Sequence, residues 1–205
     1  LSCLVGSEMC IRDRHGLRLS ETSLGSKVVV VGLGVIGHLV CRLAEAQGSE
    51  VIGIDPDPER SKYGDNFFTS ADDVELKDVD TVIITAATSS NEPIELATKI
   101  ARNKAKIVVI GDIPLNISRN DFYYKELELV VSKSYGPGRY DKQYEALGND
   151  YPIEYVRWTE NRNFEAFTKL LSQKQIHLLD LVSEEIAFED APSVYEKFED
   201  EIKPL

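Results

Sequence analysis

What limits this chain most is a continuous β-branched run, Val28–Val31, that breaks into three closely spaced glycines, Gly32, Gly34 and Gly37. A run of that kind is expected of a strand buried on both faces. Directly after the glycines, Ile36, Leu39, Val40, Leu43 and Ala44 recur at helical spacing, and Gly48 closes the helix. Strand, glycine turn and helix therefore follow one another with no spacer. The pattern then repeats. Val51–Ile54 is a second apolar run ending at Asp55. Asp57-Pro58-Glu59-Arg60 opens a short helix, with proline tolerated in its first turn. Phe67–Phe68, Thr81–Thr85, Ile107–Ile110 and Leu127–Val131 read as four further strands, and Ile94, Ala97, Ile100 and Ala101 mark a helix between the fourth and fifth. Strands alternating with helices imply right-handed βαβ units, so the expected fold is α/β, a doubly wound parallel sheet of about six strands.

Gly32-Leu33-Gly34-Val35-Ile36-Gly37 is G-x-G-x-x-G in the context it requires. The first glycine permits the tight turn, the second lets a diphosphate approach the backbone, and the third allows helix and strand to pack closely. The helix N-terminus offers unpaired N–H groups and a partial positive charge to phosphate. Asp55 stands 18 residues after Gly37, at the end of the second strand. There a carboxylate accepts hydrogen bonds from a ribose diol and repels a 2′-phosphate, which favours NAD over NADP as cofactor. Arg60 is a candidate to cover the adenine or to tolerate a phosphate. Three further strand ends should face the nicotinamide half: Thr85-Ala86 after the fourth strand, Ile110-Gly111 after the fifth and Ser134 after the sixth. His38 reads as a partly exposed structural histidine near the phosphates.

Charge and composition exclude other roles. The chain carries a formal net charge of −12, which argues against nucleic acid and anionic membrane surfaces. Val28–Val40 is too short to span a bilayer. Three cysteines without paired spacing suit a reducing cytoplasm, and three scattered histidines predict no dense metal site within this chain. No Tyr has Lys four residues on, and neither G-x-S-x-G nor G-x-x-x-x-G-K-[ST] occurs. After Ser134 the character changes: seven of the nine tyrosines lie between Tyr123 and Tyr155. One helix there is expected to carry Phe164, Phe167, Leu170 and Leu171, and another Ala191, Val194, Tyr195 and Phe198. Tyr135, Arg139, Tyr140 and Asp141, together with Arg157, Glu160 and Arg162 around Trp158, are either pocket residues or packing of this elaborated segment, with packing favoured.

The glycine motif with Asp55 and Arg60, the run Ile83-Ile84-Thr85-Ala86 and the run Val108-Val109-Ile110-Gly111-Asp112 resemble the cofactor domain of medium-chain, zinc-type alcohol dehydrogenases. Ser134–Asp141 (SYGPGRYD) and Tyr155–Asn163 (YVRWTENRN) resemble a branch in which such a dehydrogenase is fused to an oxidoreductase of the glucose–fructose oxidoreductase kind. The resemblance implies an NAD-dependent oxidoreductase acting on a small alcohol, polyol or sugar-like substrate. It also implies a catalytic zinc held by a preceding domain, and homodimerisation through the sixth strand. Neither the preceding domain nor the fused partner is found in these residues, so zinc is expected only in the full-length parent and this chain is expected to be catalytically incomplete. The expected organisation is an adapter-like leader over residues 1–14, which shows no periodicity and is set outside the fold. A remnant linker follows over 15–26, then the NAD-binding domain over 27–133 and a C-terminal return segment over 134–205. A competing resemblance, limited to residues 27–60, is to nucleotide-sensing regulatory domains of potassium channels and transporters, which bind a nucleotide and catalyse nothing.

Overall fold

The computed structural model describes residues 7–182 and 185–190. Its centre is a six-stranded sheet: β1 (Lys27–Val31), β2 (Glu50–Ile54), β3 (Phe67–Phe68), β4 (Val79–Ile84), β5 (Ala101–Val109) and β6 (Glu128–Val131). The spatial order is β3-β2-β1-β4-β5-β6, and every neighbouring pair is parallel. The doubly wound architecture expected from the alternating pattern is the one observed. Register brings the carboxyl ends level: Val31 lies opposite both Ile54 and Ile84, Ile84 opposite Val109, and Val109 opposite Val131. Functional groups that follow these strands therefore gather along one edge of the sheet.

Alternation along the strands divides the core in two. Val28, Val30, Ile83 and Val108 face one side, where α1 (Ser7–Leu19), α2 (Val35–Ala46) and α7 (Glu160–Ser172) pack through Leu17, Leu39, Val40, Leu43 and Phe167. Val29, Val31, Val82, Ile84, Ile107 and Val109 face the other, where α4 (Glu92–Ile100) contributes Ile94, Ala97 and Ile100, and Phe122 of α5 (Arg119–Lys125) packs against the same cluster. Short helices α3 (Pro58–Ser61) and α6 (Lys142–Glu145) each start on an aspartate, Asp57 and Asp141, whose side chain accepts a backbone N–H two residues on.

One expectation needs correcting. Residues 1–14 were set outside the fold, yet α1 begins at Ser7, and Cys10, Ile11 and Leu17 are buried core residues. The helix straddles the expected boundary at residue 14, so the i, i+7 pair Cys10 and Leu17 is split by it and neither half shows a period alone. Gly16 holds α1 close to the sheet: a Cβ there would come within 2.2 Å of the Ile110 side chain. The linker expected over 15–26 is thus helical to Leu19 and becomes turns only from Ser20. β5 also starts six residues earlier than its apolar run, through the exposed polar stretch Arg102–Lys104. The helix expected to carry Ala191, Val194, Tyr195 and Phe198 lies outside the described residues.

Candidate dinucleotide-binding crevice

Gly32 takes a left-handed conformation, φ +100°, and donates its N–H to the Ile54 carbonyl at 2.8 Å, tying the turn to β2. A side chain is excluded there, since a Cβ would lie 2.5 Å from the Ala86 nitrogen. Gly34 is the N-cap of α2, which has no side-chain cap and no acidic residue in its first turn. Its leading N–H groups remain available to a phosphate. Gly37 sits against the Gly32 carbonyl, where a Cβ would come within 1.9 Å. Leu33 is fully buried, while Val35 and Ile36 pack at the margin of the core. Gly32 thus makes the tight turn, and Gly37 the close helix–turn contact, that their spacing implied.

Asp55 is where the turn and the second strand meet. Its side chain is 5% exposed. Oδ2 accepts the Leu33 backbone N–H at 2.7 Å, and Oδ1 accepts the Asp57 N–H at 2.9 Å. Arg60 lies 3.5 Å from Asp55 Oδ2 and 3.5 Å from Asp57 Oδ2, so its charge is shared between two carboxylates. Ser61 donates its hydroxyl to the Asp55 carbonyl at 3.2 Å, which fixes the backbone behind the carboxylate.

Thr85 and Ala86 close the other side of the turn. Both backbone N–H groups donate to the Val31 carbonyl, at 2.9 and 3.1 Å, and the Thr85 hydroxyl donates to the Gly32 carbonyl at 2.5 Å. Gly111 is pressed against Ala86, where a Cβ would come within 2.0 Å of the Ala86 carbonyl oxygen. Ile110 is buried, and its carbonyl accepts a hydrogen bond from Arg12 Nη2 at 2.8 Å. Ser134 follows β6 with φ +44° and is partly exposed, but no hydrogen bond joins it to the other expected residues. Thus Gly32–Gly37, Asp55, Arg60, Thr85, Ala86, Ile110 and Gly111 form one linked constellation, and Ser134 stands apart.

His38 departs from its expected partial exposure. It is fully buried, its ring 5.3 Å from that of Tyr63 and 5.4 Å from that of Phe67. Neither ring nitrogen has a hydrogen-bond partner among the described residues, and burial, with Arg42 adding to it, pushes the imidazole pKa down. Tyr63 carries no expected role, and Phe67 is expected only as a residue of the third strand, not as a neighbour of His38. Their signal was their position, eight and twelve residues after Asp55, on the stretch that leads into β3. Tyr135, Arg139, Tyr140 and Asp141 are occupied with one another and with near neighbours. Arg139 stacks on both Tyr135 and Tyr140 and pairs with Glu145 at 2.6 Å, while Tyr151 donates its hydroxyl to Asp141. Among the described residues no group of three or more His, Cys, Asp or Glu is placed to hold a metal ion. None of the described helices is long and apolar enough to cross a membrane.

Sheet order, glycine turn and the acid at the end of β2 together define a Rossmann-type dinucleotide-binding domain. Over residues 10–121, more than half of the chain, the sequence matches the family model "D-isomer specific 2-hydroxyacid dehydrogenase, NAD binding domain", and the chain belongs to that family. A curated relative, 2-dehydro-3-deoxy-L-galactonate 5-dehydrogenase of Pseudoalteromonas atlantica, is 26% identical over 157 residues, covering 69% of this chain and 43% of the relative. Among solved structures, L-idonate 5-dehydrogenase of Escherichia coli superposes with a TM-score of 0.75 at 16% identity, over 99% of this chain and 55% of that one. Galactitol-1-phosphate dehydrogenase of E. coli gives a TM-score of 0.72 at 20% identity, over 97% and 57%. At these identities the two structures share the fold. The chain spans about half the length of the proteins it matches.

Proposed function

We propose that this chain is the NAD(H)-holding part of a medium-chain, zinc-type dehydrogenase that oxidises an alcohol, polyol or sugar-like substrate. The observation that carries the reading is the Asp55 carboxylate, fixed against the glycine turn by the Leu33 N–H. An ionised carboxylate offers about four acceptor positions. Two backbone N–H groups take two of them, which leaves capacity for the hydroxyls of an adenosine ribose. The second residue of the motif and the ribose-binding acid are thereby one rigid unit.

Gly32, Leu33, Gly34, Val35, Ile36 and Gly37 would hold the diphosphate through backbone N–H groups, and Asp55 the ribose. Thr85, Ala86, Ile110, Gly111 and Ser134 would border the nicotinamide. NAD, when bound, supplies the hydride-accepting ring. The chain supplies position, since a correctly held reactant is worth several kcal/mol of barrier. NAD is favoured over NADP because Arg60, shared between Asp55 and Asp57, is not a free counter-charge for a 2′-phosphate. In this reading a catalytic zinc would be held in the full-length parent, and no step is assigned to it here.

The substrate class rests on the resemblance and on the relatives, whose names are those of sugar-acid and polyol-phosphate dehydrogenases. Calorimetry tests the binding reading. NADH should bind more tightly than NADPH, and Asp55→Ala should abolish the preference. Equal affinity of Asp55→Ala and the parent for NADH would remove the ribose assignment. Oxidation of polyols by the full-length protein, lost on chelation of its metal, is the corresponding test of the activity.

A further inference from the structure

Trp158, the single tryptophan of the chain, is held between guanidinium groups. The Arg18 guanidinium carbon lies 3.2 Å from the indole centroid, that of Arg157 3.9 Å and that of Arg14 5.6 Å. None of these three arginines forms an ion pair with an acid among the described residues, in a chain with 12 more acids than bases. Arg18 Nε donates to Asn163 Oδ1 at 2.8 Å, and among the described residues its terminal nitrogens have no acceptor. Arg14 Nε and Asn163 Nδ2 are buried donors that likewise have none among the described residues. Burial and the neighbouring Arg14 and Arg157 pull the Arg18 pKa down to about 9. A cavity of about 350 Å³ opens at this cluster, lined by Arg14, Arg18, Gln47, Trp158 and Leu170, with Glu21 on its wall turned to Lys106, whose Nζ it meets at 2.6 Å.

We propose that this cavity binds a small oxyanion carrying two or more negative charges, a phosphate ester or a polycarboxylate. Clustered guanidinium groups repel one another and lose hydration, and among the described residues no acid pairs with any of the three, the nearby Glu21 being taken by Lys106. A multivalent oxyanion supplies the missing acceptors, and guanidinium forks match its geometry in bidentate fashion. Stacking on Trp158 holds two of the forks in place before the ligand arrives. The site is distinct from the dinucleotide crevice. Leu43 and Gln47 lie towards the far end of α2 from Gly34, roughly 14 and 20 Å away at the rise of an α-helix.

Trp158 is itself the probe. Its emission is followed while the full chain is titrated with inorganic phosphate and, separately, with citrate, at ionic strength held constant with sodium chloride. A saturable change with phosphate, citrate or both is expected, and the stronger of the two identifies the source class. Arg18→Gln and Arg157→Gln should each weaken it tenfold or more. Arg157 is exposed, so its replacement keeps the fold even if Arg18→Gln does not. Absence of saturation with both anions, or equal affinity in Arg157→Gln and the parent, overturns the proposal. NADH affinity of Arg157→Gln should be unchanged, which separates failure here from failure of the dinucleotide reading.

Discussion

The Asp55 carboxylate accepts the backbone N–H of Leu33 at 2.7 Å, so the acid that ends β2 also fixes the glycine turn that ends β1. Removing it has two consequences at once. Asp55→Ala leaves a buried N–H without an acceptor, a loss of about 1–3 kcal/mol. It also removes the ribose acceptor. NADH affinity should fall at least tenfold by calorimetry, and the urea midpoint should fall with it. Asp55→Asn keeps an acceptor for Leu33 while losing the charge. It should keep most of the stability, and NADPH should gain on NADH.

Gly37 tolerates no side chain. The Cβ of Gly37→Ala would sit 1.9 Å from the Gly32 carbonyl, and neither α2 nor β1 can yield independently of the other. Overpacking at a site of this kind costs about 1–3 kcal/mol or more. The melting temperature should drop by several degrees and NADH binding should weaken in the same protein. An unchanged melting temperature would mean that helix and turn can part to admit the methyl group.

The fold was legible where local pattern and tertiary role agree. Val28–Val31 faces both core layers, so its uninterrupted β-branched run records its double burial. Gly32, Gly37 and Asp55 were legible because each solves a backbone problem that a one-dimensional spacing encodes. Burial of His38 was not legible, because it depends on Tyr63 and Phe67, which reach it only after β3 has paired with β2. Nor was α1, whose apolar positions are interrupted by Arg12, Asp13 and Arg14 and become a face only against α2 and α7. The arginine cluster on Trp158 joins α1 to the start of α7, across more than 130 residues, a distance at which no spacing rule operates.

Asp13 is fully buried, and among the described residues both carboxylate oxygens lack a hydrogen-bond partner. Burial raises its pKa well above the usual carboxylate range, against a smaller opposing pull from Arg12. The folded state therefore holds the proton while the unfolded state has released it. Stability from this group is fully present below the unfolded carboxylate pKa of about 4 and is lost as pH rises towards the folded value. Asp13→Leu should raise stability at pH 7 by about 1–3 kcal/mol, and the gain should shrink at pH 4. Urea titrations at the two pH values measure it. A gain of equal size at both would show that ionisation is not the cause.

His38 works in the opposite direction. Its pKa is lowered by burial and by Arg42, against weaker support from the carboxylates of Asp180 and Asp55. The imidazole is neutral when folded, and the unfolded chain protonates first as pH falls through about 6.5. Stability from His38 is present above that pH and lost below it. His38→Leu should flatten the fall in melting temperature between pH 8 and pH 5.5. Because the Asp55 charge acts on the imidazole, a fall in NADH affinity over the same range should flatten as well.

Among the described residues β6 pairs with β5 alone, and Val131 is 58% exposed on this last strand. A parallel edge with free N–H and C=O groups and an apolar residue at its end is a template for association. A second copy related by a two-fold axis would pair β6 with β6 and extend the sheet across both molecules. Light scattering on the chain should therefore give the mass of a dimer. Val131→Lys places a charge on that edge, the device by which natural sheets discourage pairing, and should shift the mass towards the monomer without changing NADH affinity. A monomeric mass for the parent chain would show that β6 is left as a true edge, with Glu128 and the flanking turns sufficient to protect it.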